Sequence, residues 1–89
     1  MADEITKLSL NELEKFASAV EYFKVGLEKR CSNMETGIQS CSKYMKDATS
    51  QHLLGNAAQT VAEIRECLNP AEAILEKVLY LIDLMQAEL

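Results

Sequence analysis

"SQHLLGNAAQTV", residues 50–61, is the stretch on which the fold turns. Two long runs of helical pattern flank Gly55, and Leu53 and Leu54 precede it where an ordinary solvent turn carries Asn, Asp, Ser or Pro. A glycine there permits tight reversal, and a leucine two positions earlier can fold back over the end of a hairpin. The turn is therefore expected near Leu53, Leu54 and Gly55, apolar because it lids the core.

Upstream, "KLSLNELEKF" has the parts of a helix start. Ser9 can cap, Glu12 completes a capping box, and Leu8 can staple onto Leu13, so the first helix is expected from about residue 9, with residues 1–8 a flexible amino terminus. Apolar residues then recur at Leu13, Phe16, Val20, Phe23, Leu27, Cys31, Met34, Ile38, Cys41, Met45 and Ala48 in steps of three or four. That spacing predicts one face of one long helix, about 40 residues and roughly 60 Å. Ser32 and Glu35 can begin a new helix and Gly37 can break one, but the stripe crosses them without slipping.

Downstream, Ala57, Ile64, Ala71, Val78 and Met85 form one seven-residue series, and Val61, Leu68, Leu75, Ile82 and Leu89 form the other. Together they make a heptad seam. Pro70 interrupts it chemically, because an interior proline removes a hydrogen bond and disfavours helix at Asn69. The register nevertheless passes through unshifted, which predicts one second helix over about 56–88, kinked at Pro70. The alternative is three helices, with Asn69 capping the third. Two long amphipathic helices about one short connection predict an all-α, antiparallel two-helix hairpin, a single domain over 1–89.

A domain of 89 residues buries only about 60% of its unfolded surface, so burial against a partner matters. Fourteen acidic residues against nine basic ones, with no basic cluster longer than Lys29-Arg30, disfavour nucleic acid as a partner. The stretch "MADEITKLSL" lacks the basic and apolar regions of a signal peptide, and no apolar run is long enough to span a membrane. Cys31, Cys41 and Cys67 are odd in number and lack CxxC spacing, which argues against a disulfide framework and a zinc site. Buried free thiols of a reducing cytoplasm are expected, with a Cys41–Cys67 disulfide after export as the alternative about a 50–55 turn. His52, the only histidine, is expected to face solvent, and Glu63, Glu66, Glu72 and Glu76 to form a solvated face; no metal, cofactor or catalytic residue is assigned.

The segment "AILEKVLYLIDLM", residues 73–85, is apolar beyond the stripe that one partner helix covers. Cys67, Ile74 and Leu81 make a third seven-residue series beside the seam, with Tyr80 and Leu84 widening it. Together these five residues form the candidate face for a second helical partner. The competing expectation is that they pack on the amino-terminal part of the first helix, where Tyr22 and Val25 also widen the stripe.

The length, the helix layout and Leu53-Leu54-Gly55 resemble the WXG and LXG families of small helical hairpins of the bacterial type VII secretion system. In those families a W-x-G or L-x-G motif marks the turn. The family's export signal pairs Tyr or Phe with an acidic residue four positions on, whereas here Tyr80 is three from Asp83 and the four-residue spacing is met by Leu79 with Asp83. That departure shifts the resemblance toward the accessory proteins that pair with LXG toxins. It implies a non-enzymatic targeting factor of Gram-positive bacteria, cytoplasmic or secreted without a signal peptide, whose partner is an effector's amino-terminal helical domain. From the residues alone, two rivals stand beside it. One is a homodimeric four-helix scaffold or secretion-apparatus subunit or chaperone, and the other is a thiol-based regulator with an exposed, low-pKa cysteine.

Overall fold

The computed structural model describes the backbone of residues 2–88 and the side chains of residues 7–88. The described residues are all-helical: α1 (Ala2–Tyr44), α2 (Ala48–Arg65) and α3 (Leu68–Ala87). No proline and no glycine precedes Gly26, so nothing stops helix at residues 2–8. The helix start expected at residue 9 is corrected accordingly, and Ser9 lies exposed inside α1.

The turn is not at Leu53–Gly55, and those three residues lie within α2. The chain reverses at residues 45–47, where Asp47 adopts extended backbone (φ −67°, ψ 154°). Its carboxylate accepts a hydrogen bond from the Ser50 N–H at 2.9 Å, which satisfies one of the orphan donors of α2. The Gln51 side-chain amide donates back to the carbonyls of Ser42 (3.1 Å) and Met45 (2.6 Å), so it satisfies the end of α1 as well. An aspartate cap and an amide clamp supply what the glycine was expected to supply. Gly55 has no positive φ.

The expected second helix, kinked at Pro70, is instead two helices separated at Glu66–Cys67. Proline at position 70 has no N–H for the carbonyl of Glu66, and its ring crowds that carbonyl. The chain tightens into the gap: the Glu66 N–H is shared between the carbonyls of Ala62, one α-helical turn back, and Glu63, and the Cys67 N–H donates to the shorter-range carbonyl of Ile64. Pro70 falls in the first turn of α3, where a missing N–H costs least.

The chain divides into two compact units, Met1–Lys24 with Asn69–Leu89, and Val25–Leu68. In the first, Leu10, Ala17, Leu75 and Ile82 form the buried core, with Leu13, Val20, Val78 and Met85 packed against it. Lys24 pairs with Glu72. Leu10, two heptads before Lys24, shares its core with Ile82, beyond Glu72, so the helices of this unit run antiparallel. Small Ala17 on α1 lets bulky Leu75 and Ile82 close the seam.

In the second unit, Cys31 and Val61 are buried. Arg65 of α2 binds Glu28 at 3.2 Å, Glu35 at 2.5 Å and Ser32 at 3.3 Å, all on α1. With Gln51 bonded to Ser42 at the other end, these contacts set an antiparallel register. The Arg65 guanidinium holds the Glu35 carboxyl below the usual carboxylate range, and Glu35 in turn raises Arg65.

Candidate interaction face

The side chains α1 buries are not the ones its most bulky stripe suggests. In the first unit the seam runs through Leu10, Leu13, Ala17 and Val20 to half-buried Lys24. Phe16 and Phe23 sit one position before Ala17 and Lys24 and stay 48% and 50% exposed. On α3 the seam is Ala71, Leu75, Val78, Ile82 and Met85. Ile74 and Leu81 again lie one position before seam residues and are 45% and 44% exposed, with Leu84 at 47%. The expectation that this broad face packs on α1 is thereby overturned, and Tyr22 and Val25 are exposed as well.

In an antiparallel pair, the positions just before the first seam residue of each heptad fall on the same side for both helices, and those just after the second fall on the other. Phe16 and Phe23 therefore share a flank with Ile74 and Leu81. The opposite flank carries Glu14 and Glu21 from α1 and Glu72, Glu76 and Asp83 from α3, all exposed. Lys24 marks that side directly. Its ammonium is raised first by its bond to Glu72 and further by Glu21 and Glu76, so the carboxylates of both helices converge there. One flank of this unit is thus apolar and the other acidic.

Leu84 lies beside the apolar flank, whereas exposed Tyr80 lies farther round α3, and exposed Cys67 lies in the turn before it, in the second unit. Of the five residues expected to form one face, the structure brings Ile74, Leu81 and Leu84 to the flank and leaves Tyr80 and Cys67 off it. Leu79 and Asp83, the export-signal pair, are both exposed one turn apart on the acidic side. Phe16 and Phe23 are the residues that sequence reasoning placed in the core instead. The signal that identifies them as outside is the strict alternation of three and four from Leu10 through Leu27, disguised by Ala17 and Lys24.

In the second unit, Met34, Gly37, Ile38 and Cys41 of α1 and Leu54, Ala57 and Val61 of α2 line an open groove of about 330 Å³. Leu54 is half-buried there, Leu53 is exposed, and an added Cβ at Gly55 would meet nothing within 4 Å. Of the three motif residues only Leu54 serves helix packing, and none forms a lid.

The cysteines differ from one another. Cys31 is fully buried, whereas Cys41 and Cys67 are exposed, which corrects the expectation of three buried thiols. The antiparallel register set at residues 45–47 places Cys41 in the groove with Leu54 and Ala57, while Cys67 follows Arg65, whose partners lie at 28–35. The two thiols sit at opposite ends of the second unit, far beyond the reach of a disulfide. His52 is exposed on α2, and Glu63, Glu66, Glu72 and Glu76 are exposed, with Glu72 held by Lys24. Among the described residues, three or more His, Cys, Asp or Glu side chains nowhere gather as metal ligands, and no helix is long and apolar enough to cross a membrane. No protein-family description, curated protein or solved structure matches this chain.

Proposed function

We propose that this chain is a non-enzymatic helical binding protein that associates with the helical amino-terminal domain of a type VII secretion effector and assists its export. The observation that carries the binding part is the uncovered flank of Phe16, Phe23, Ile74 and Leu81, apolar on both helices of one unit. Its mechanism is mutual burial. A small helical unit with a thin core keeps a second apolar row outside it, and an effector's amphipathic helices, themselves unstable alone, cover that row.

The type VII part rests on the antiparallel helix pairs alone, because Leu53-Leu54-Gly55 lies within α2 and marks no turn. Exposed Leu79 and Asp83, one turn apart, are the pair that would complete a composite export signal with the effector. The protein acts from the bacterial cytoplasm and travels with its cargo, without cofactor or metal.

Co-expression with an LXG-type effector's amino-terminal domain tests the reading. The wild-type chain is expected to co-purify with that domain, and the chain with Ile74→Glu and Leu81→Glu is expected to lose it while keeping its helical circular dichroism. An effector that stays stable and fully exported after deletion of this gene contradicts the role.

A further inference from the structure

The two flanks of the first unit differ in a way that names an occupant for the apolar one. The residues of this unit include nine acidic and four basic side chains, whereas Val25–Leu68 carry five of each. The whole charge excess of the chain therefore belongs to the unit that also carries the uncovered apolar row. Two such units repel each other if they meet by their acidic sides. They meet without that cost by their apolar sides, because Glu14, Glu21, Glu72, Glu76 and Asp83 then face outward.

The borders of the apolar flank are nearly neutral. Glu12 edges it on α1, its charge bonded to Lys15 at 3.2 Å, and Lys77 edges it on α3, with Glu88 just past the end of that helix. The borders thus carry both signs, so a copy brought up about a two-fold axis meets no single-sign face. Phe16, Phe23, Ile74, Leu81 and Leu84 each leave about half of a large side chain uncovered, roughly 90 Å² apiece by ordinary side-chain areas. That is about 450 Å² on one chain, already the size of the largest apolar patch on an ordinary monomer. Doubled and joined by the border residues, it approaches the roughly 1,200–2,000 Å² of a stable interface.

We infer that, without another partner, a second copy of this chain covers the flank of Phe16, Phe23, Ile74 and Leu81, giving a two-fold four-helix bundle of first units with their acidic flanks outward. The inference rests on the helix-docking reading of this face and not on the type VII assignment. An effector then competes with the second copy for one surface, and dimer and complex exclude each other.

Sedimentation velocity on the purified full chain, from about 1 to about 100 μM, tests it. The expected species at the upper concentrations has twice the 9.9 kDa chain mass. Phe23→Glu and Leu81→Glu, each on a half-exposed side chain, should weaken the dimer at least tenfold with helicity retained. Phe16→Ser provides a milder third variant should either one unfold. Leu79→Glu, on the acidic flank, should leave the dimer intact. A wild-type chain that stays monomeric throughout overturns the inference, as does a dimer broken by Leu79→Glu and indifferent to Phe23→Glu. A monomer leaves the effector reading to its own co-purification test, and a dimer with no effector binding leaves the inference standing alone.

Discussion

At Gly55 the difference between a turn and a helix becomes measurable. It lies in α2 without positive φ and with open space where a Cβ would stand. Gly55→Ala is therefore expected to stabilise the protein by about 0.5–1 kcal/mol in denaturant unfolding, through helix propensity and a less flexible unfolded chain. Loss of stability would place Gly55 back in a turn. The thiols separate just as cleanly. Cys41 and Cys67 should label rapidly in the native protein and Cys31 only on unfolding, with peptide mass spectrometry assigning the sites. Uniformly slow labelling would contradict the register set at residues 45–47. Acid reports on the two held carboxylates. Asp47 is lowered by its hydrogen bonds from Ser50, and Glu35 by its bond from Arg65. A carboxyl lowered in the folded state contributes fully above its ordinary unfolded value, and the contribution fades as pH falls through the lowered folded one. The melting temperature should thus hold near neutrality and fall on acidification below about pH 4.5. Glu35→Gln should show a smaller acid-induced drop than wild type, and an identical drop would remove Glu35 from the explanation.

Among the elements, α3 was the most legible in the sequence and the reversal the least. The alternation of Ala71, Leu75, Val78, Ile82 and Met85 has no polar interruption, and all five are buried or half-buried. On α1 the expected stripe shares Leu13, Val20, Leu27, Cys31 and Ile38 with the observed inner face, but half-buried Lys24, Glu35 and Ser42 hold positions that hydrophobicity alone assigns to Phe23, Met34 and Cys41. The long stems of Lys24 and Glu35 lie along the seam while their charges reach Glu72 and Arg65, so polar residues occupy inner positions at low cost. The reversal was misplaced because glycine is a strong signal of turns in general, while "KDATSQ" carries a local solution in Asp47 and Gln51. Asp47→Ala should lower the melting temperature and fray the start of α2, seen as faster amide exchange at Ser50, whereas unchanged exchange there would deny the cap. Before Pro70 the expected register failed along with the helix: Ile64, expected on the seam, is exposed, and Arg65 takes the inner position beside α1, its charge held by Glu28 and Glu35.

For the whole molecule, the deciding feature is segregation. The unit of Met1–Lys24 and Asn69–Leu89 gathers carboxylates on one flank and large apolar side chains on the other, and the sequence disclosed only half of this. The excess apolar character of residues 73–85 was visible, because no single helix covers so wide a stripe. The contribution of Phe16 and Phe23 was not, since two phenylalanines at helical spacing are the residues a one-stripe reading assigns to the core. Association should also respond weakly to salt, because the acidic side stays in solvent and the borders are nearly neutral, whereas two copies docked through their acidic flanks would tighten as salt screens the repulsion, and a basic partner docked there would be released. The most direct measurement is hydroxyl-radical footprinting of the full chain as it assembles, whether with a second copy or with an effector domain. Phe16, Phe23, Ile74 and Leu81 should become protected together while Tyr22, Leu79 and Tyr80 keep their reactivity. Protection of Leu79 and Tyr80, with Phe16 and Phe23 unchanged, would contradict the account and move the interface to the acidic side.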